Sequence, residues 1–171
     1  RMAKFKDDLK WLQLDKIVED MQNMPLYIVD ATGQNINQIT ALTKEFKRKY
    51  KIEMLFIDYL QLISGGSEKN FGNRELEVAY ISRKLKENCM KMSLPTMALS
   101  QLTVEKGTKR MYELNDLRES KAIGQNADGV GLLYWPDYHG VETINNEYYS
   151  PNESVIIWVK YRMAGRKIIK M

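Results

Sequence analysis

Two apolar runs in this chain end in polar side chains of the kind that handle phosphates. Leu55-Phe56-Ile57 runs into Asp58, and Ala98-Leu99-Ser100 runs into Gln101. In an open α/β sheet the carboxyl ends of the strands face the crevice where ligands bind. A carboxylate at that edge can hold Mg²⁺, and an amide on a neighbouring strand can sense a phosphate or a water. Asp58 by itself says little, because many buried strands end in an Asp that caps a turn. Gln101 by itself says less. Their company is more informative: Asp116-Leu117-Arg118-Glu119-Ser120 and Lys160-Tyr161-Arg162 lie downstream.

The elements that must position these residues follow from hydrophobic spacing. Residues 3–23 read as a helix, and Leu26-Tyr27-Ile28-Val29-Asp30 as a short strand opened by Pro25. Asn35 with Gln38 three residues on forms a capping-box-like start. Ile36, Ile39, Thr43, Phe46 and Tyr50 then mark one helical face. Ile52 to Ile57 is near-continuously apolar, as in a strand buried on both faces. After a polar loop at 64–72, Asn73 can cap a helix carrying Val78, Ile81, Leu85, Cys89 and Met92. Leu94 to Leu99 predicts a second buried strand, Leu117 to Asn126 a short helix, and Gly129 to Trp135 a third buried strand. Val155 to Tyr161 and Lys167 to Ile169 read as an antiparallel hairpin. Residues 136–153 read as an irregular connection; Tyr138, His139, Tyr148 and Tyr149 stand there as a possible base-stacking surface or as a surface loop without a role. Strands alternating with helices predict a mostly parallel sheet, finished by the edge hairpin.

Length and composition bound the classes. The 171 residues suit one domain, 1–171, with a single core. No run of 18 apolar residues occurs, which argues against a membrane span. Residues 1–8 are charged from the start and lack a signal core. The lone Cys89 fits a reducing cytoplasm and reads as a buried structural thiol. One histidine and one cysteine make a zinc site improbable. Five cations in residues 151–171 (Lys160, Arg162, Arg166, Lys167, Lys170) face Glu153 alone, and carry the whole net charge of +4. That excess suits phosphates of a nucleotide or nucleic acid, or a solvated strand edge.

Taken in order, Ile57-Asp58-Tyr59-Leu60-Gln61-Leu62, Asn73-Arg74-Glu75-Leu76-Glu77, Leu99-Ser100-Gln101-Leu102, Asp116-Leu117-Arg118-Glu119-Ser120, Gln125-Asn126-Ala127-Asp128 and Lys160-Tyr161-Arg162 resemble the C-terminal motor domain of DnaB-type replicative helicases. The resemblance covers about Leu26 to Lys170. It implies a RecA-like fold, a hexameric ring, ATP hydrolysis with Mg²⁺ at subunit interfaces, and 5′–3′ translocation on single-stranded DNA, with a primase and a helicase loader as partners. It implies that Asp58 is the Walker B aspartate that orders Mg²⁺ through water, and that Gln101 couples the γ-phosphate to the DNA loops. Arg118 and Glu119 fall in the channel-lining segment, and Lys121 follows them. Lys160 and Arg162 match the basic pair that reaches the neighbouring subunit's site, with Arg162 as arginine finger. A planar fork donor suits charge spread over phosphoryl oxygens better than an ammonium does. Read without the resemblance, Arg118–Glu119 is a helix ion pair of roughly 0.3–0.5 kcal/mol, and Lys160 and Arg162 are solvent-facing strand residues.

Three departures stand out. No G-x-x-x-x-G-K-[ST] occurs; in this family that loop and the water-activating glutamate lie upstream of the strand placed at 26–30. The chain is therefore expected to be a partial RecA-like domain, inactive alone for want of a phosphate nest. Lys121 stands where relatives usually have a small residue, and Arg166 where they often have Pro. The rival readings are a non-catalytic module that binds DNA or a partner, and another RecA-like recombination or repair ATPase.

Overall fold

The computed structural model describes residues 8–66, 70–102, 104, 110–117, 121–144, 147–162, 165 and 167–171. Arg118, Glu119 and Arg166, singled out above, lie outside them, as does most of the basic stretch 104–112. The chain divides into two compact units, Arg1–Asp30 and Ala31–Met171.

The first unit holds helix α1 (Asp8–Gln22). Its apolar side chains Leu14, Ile17, Val18 and Met21 are exposed. The strand expected at 26–30 does not form: the segment is irregular and Ile28 is 87% exposed. A strand exists only as one member of a ladder, and the described residues of this unit contain no second strand.

The second unit begins with helix α2 (Ile36–Tyr50). Asn35 caps it, its side-chain oxygen accepting from the N–H groups of Asn37 at 2.9 Å and Gln38 at 3.1 Å. The Gln38 side chain accepts in return from the Asn35 N–H at 2.9 Å. The capping box expected from the sequence is therefore complete, and Ile36 and Thr43 are buried on the predicted face. Strand β1 (Leu55–Ile57) follows, then a 3₁₀ turn at Leu60–Leu62, then helix α3 (Arg74–Met92). Asn73 caps α3 through the Leu76 N–H at 2.9 Å, and Glu75 and Glu77 sit in its first turn, where negative charge suits the positive helix end. Strand β2 (Thr96–Ala98) pairs parallel with β1, Leu55 opposite Thr96 and Ile57 opposite Ala98. Neither strand is buried on both faces, contrary to expectation, and Phe56 is 62% exposed. Among the described residues this sheet has two strands; Ile57 and Ala98 pack against the apolar side chains of α2 and α3, while Phe56 and Met97 on the other face are exposed.

A 3₁₀ turn at Leu114–Asp116 precedes helix α4 (Lys121–Asn126), which lies within the stretch expected to be helical. Strand β3 (Gly129–Tyr134) pairs antiparallel with β6 (Val155–Tyr161), which pairs antiparallel with β7 (Lys167–Lys170). The predicted hairpin β6–β7 is present, and β3 joins it rather than β1–β2. Its burial accordingly alternates: Val130, Leu132 and Tyr134 point inward while Leu133 is exposed. Between them, 136–153 is more ordered than expected, with a 3₁₀ turn at Asp137–His139 and a two-rung hairpin, β4 (Thr143–Ile144) and β5 (Glu147–Tyr148).

Two apolar clusters hold this unit. Ile36, Leu60, Ile63, Ile81 and Leu85 pack between α2, α3 and the turn after β1. Leu117, Val130, Leu132, Tyr134, Ile144, Tyr149, Val155 and Ile157 line the inner face of the antiparallel sheet. Tyr149 is thus core, and His139 stacks on Tyr134 at 4.9 Å with its Nε2 2.7 Å from the Tyr112 hydroxyl. Both are committed to packing, while Tyr138 and Tyr148 stay exposed. Cys89, expected buried, is half-buried.

Candidate functional site

The parallel pairing of β1 and β2 places Asp58 and Gln101 at one sheet edge. Register decides this: Ile57 is opposite Ala98, and the ladder continues through Leu99 N–H to Ile57 O at 2.9 Å and Leu60 N–H to Leu99 O at 3.0 Å. Asp58 follows the last residue of β1, and the Asp58–Tyr59 peptide is cis. Its carboxylate is exposed. One solvent-facing carboxylate at a strand end suits Mg²⁺, which keeps most of its waters and takes few protein ligands.

Gln61 joins the two strand ends. Its amide nitrogen donates to the Ser100 hydroxyl at 3.0 Å, and its oxygen accepts from the Gln101 N–H at 3.4 Å. The backbone of Gln101 is therefore tied to the loop that carries Asp58, while its side chain is left exposed. Arg74, at the start of α3, holds the same loop from below. It donates to the carbonyls of Gln61 at 2.8 Å and Ile63 at 3.2 Å and pairs with Glu77 at 2.5 Å. Glu77 in turn accepts the Gly65 N–H at 2.7 Å. That backbone bond, with Arg74 beside it, holds the Glu77 carboxyl below the usual carboxylate range.

A second cluster lies around α4. The Lys160 ammonium donates to the last carbonyls of this helix, Gly124 at 2.6 Å and Gln125 at 3.0 Å, the favourable place for a cation. Gly124 lies against Leu114: a Cβ there would stand 3.1 Å from Leu114 Cδ1. The Asn126 amide donates to Ser82 of α3 at 2.8 Å. Arg162 pairs with Asp128 at 3.0 Å, and the other Asp128 oxygen pairs with Lys86 of α3. Lys86, then Arg162 and Lys160, hold the Asp128 carboxyl below its ordinary range. Lys121 is exposed at the start of α4, where a cation gains nothing from the helix dipole. Just upstream, Asp116 is buried and takes both terminal nitrogens of Arg110, at 2.6 and 2.9 Å, and the Glu113 N–H at 2.7 Å. Those bonds lower its carboxyl, Arg110 first.

The structure thus brings Asp58 together with Gln101, and Lys160 with Arg162 and α4, but keeps the two groups apart. Arg74 supports the first and Lys86 belongs to the second, twelve residues along one helix, roughly 18 Å at 1.5 Å per residue. Gln61 and Asp128 stood in the motifs quoted above without a role. Only the pairing of the neighbouring strands shows what they touch. Among the described residues no cluster of three His, Cys, Asp or Glu side chains could hold a metal, and no helix is long and apolar enough to cross a membrane.

Comparison with known proteins shows the family and the fold. The family profile of the DnaB-like helicase C terminal domain matches residues 1–171. The chain is 39% identical over 137 residues to the replicative DNA helicase DnaC of Bacillus subtilis (strain 168), covering 79% of this chain and 30% of that one. It is 32% identical over 167 residues to the replicative DNA helicase DnaB of Leifsonia xyli, covering 96% of this chain and 35% of that one. The chain spans about a third of the length of these relatives. Among solved structures, a DnaB-like replicative helicase studied with primase superposes with a TM-score of 0.81 at 29% identity, over 98% of this chain and 39% of that one. A second structure, of an ATPase domain, gives 0.82 at 29% identity, over 98% and 57%.

Proposed function

The chain belongs to the DnaB-like helicase C-terminal domain family, and on that premise we propose that it is the phosphate-sensing and DNA-contacting part of an ATP-dependent replicative helicase. Its fold is that of RecA-like helicase ATPase domains. The observation that carries the proposal is the β1–β2 edge, where Asp58 directly follows β1, Gln101 lies three residues beyond the parallel β2, and Gln61 ties the two loops together.

In this reading Asp58 holds Mg²⁺ through water, and the ion neutralises charge on the ATP phosphates. Gln101 faces the γ-phosphate, and any shift of its backbone reaches the Asp58 loop through Gln61. Arg162 acts on the triphosphate of a neighbouring subunit. Its partner Asp128 also holds Lys86, twelve residues along α3 from the Arg74 that supports the Asp58 loop, an arrangement that favours action between subunits over action within one. Lys160 spends two of its three donors on α4, leaving one for a phosphate. Arg118, Glu119 and Lys121 line the DNA channel. Phosphate contacts of this kind carry no base specificity. The assembled protein is a hexameric ring acting 5′–3′ on single-stranded DNA in the cytoplasm, served by a primase and a loader.

The test is unwinding of a forked DNA and ATP hydrolysis by the complete protein. Asp58→Asn and Arg162→Ala are each expected to abolish both. An arginine finger is worth roughly 10³–10⁵ in rate, so an Arg162→Ala protein with near-normal hydrolysis overturns the assignment of Arg162.

A further inference from the structure

Asp128 occupies a place that strand register dictates. It directly precedes β3, whose Gly129 is opposite Tyr161 of β6. The next position across the ladder is Arg162, and its N–H donates to the Asp128 carbonyl at 3.0 Å. The two side chains therefore start from adjacent backbones, and their charged ends meet at 3.0 Å. Asp128 Oδ2 is engaged by Lys86, leaving Oδ1 for Arg162. The carboxylate is thus held between a helix and a strand end, and cannot follow the guanidinium freely.

Such a pair contributes little to folding, since Arg162 and Asp128 are 54% and 55% exposed. What it does is limit the orientations of a long side chain. A guanidinium has five donors in a rigid fork; one terminal nitrogen meets Asp128, and the exposed group still has donors for an anion. Asp128 also follows α4, the helix that Lys160 caps, by two residues.

We infer that Asp128, steadied by Lys86, is a positioning residue that orients the Arg162 guanidinium for the phosphates of a neighbouring subunit's nucleotide. This rests on the reading of Arg162 as the residue acting between subunits. Misplacing a catalytic group by about 1 Å can cost 10²-fold in rate.

The experiment uses the complete protein with ATP and single-stranded DNA. Asp128→Asn is expected to lower kcat about 10- to 100-fold with KM for ATP little changed, and Asp128→Glu to recover part of the loss. The double variant Asp128→Asn, Arg162→Ala should be no slower than Arg162→Ala alone. Because the defect lies in what one subunit offers its neighbour, co-expressing Asp128→Asn with Asp58→Asn chains should restore hydrolysis at interfaces that combine the intact halves. Arg162→Ala mixed with Asp58→Asn is the matching control. If Arg162→Ala is slow and complemented but Asp128→Asn is as fast as wild type, the positioning inference fails and the Arg162 reading stands. An Asp128→Asn protein that is slow and not rescued by mixing overturns the inference in favour of a folding role. A fast Arg162→Ala protein removes both.

Discussion

The Lys160 ammonium stands 2.6 Å from the Gly124 carbonyl oxygen and 3.0 Å from that of Gln125, so the end of β6 closes the end of α4. The last carbonyls of a helix have no partner within it, and a strand lysine supplies one here. The element proposed to contact DNA is thereby fastened to the strand that leads into Arg162.

Lys160→Met keeps most of the apolar stem and removes the donors. We expect a loss of stability of about 1 kcal/mol, the scale of a charged hydrogen bond discounted for partial exposure. The complete protein should also lose stimulation of its ATPase by single-stranded DNA by a larger factor than it loses basal rate. Equal losses in both would argue that Lys160 serves stability alone.

Gln61→Leu keeps the volume of the side chain and removes the bridge to Ser100 and Gln101. Stability should change by about 1 kcal/mol or less, while the ATPase of the complete protein falls several-fold through kcat. An unchanged kcat would mean that the two strand ends hold their relative position without the bridge.

Asp116 gives a pH dependence of known sign. Arg110 and the Glu113 N–H hold its folded-state carboxyl below its ordinary range, whereas an Asp in the unfolded chain titrates at about 3.9. Its contribution is fully present above the unfolded value and is lost as pH falls through the folded one. Glu77 adds a term of the same sign. Asp116→Asn should therefore cost about 1–2 kcal/mol at pH 7, and its deficit against wild type should shrink in urea titrations carried down from pH 5. A deficit that stays constant with pH would locate the effect in packing instead.

Asn35→Ala removes the acceptor for the Asn37 and Gln38 N–H groups. Loss of an N-cap costs about 1 kcal/mol, which thermal melting can detect. Asn35→Ser should retain most of the stability, because a hydroxyl oxygen can take the same place.

Local devices were legible in the sequence because they act over three or four residues. The Asn35–Gln38 box, the Asn73 cap, the inward faces of α2 and α3 and the β6–β7 hairpin all formed where spacing placed them. The ordered motifs also identified the family, and Asp58 and Gln101 both lie beyond the carboxyl ends of the paired strands β1 and β2. What needed the tertiary structure was pairing. Leu26–Asp30 has the composition of a strand but no ladder in its unit. Gly129–Trp135 reads like a strand of a parallel sheet, yet β3 chose β6, and with it an alternating face. The same choice set Asp128 beside Arg162, thirty-four residues apart, and carried Lys160 to α4. No periodicity encodes such contacts, since they depend on which strand supplies the missing hydrogen bonds, and only the folded chain decides that.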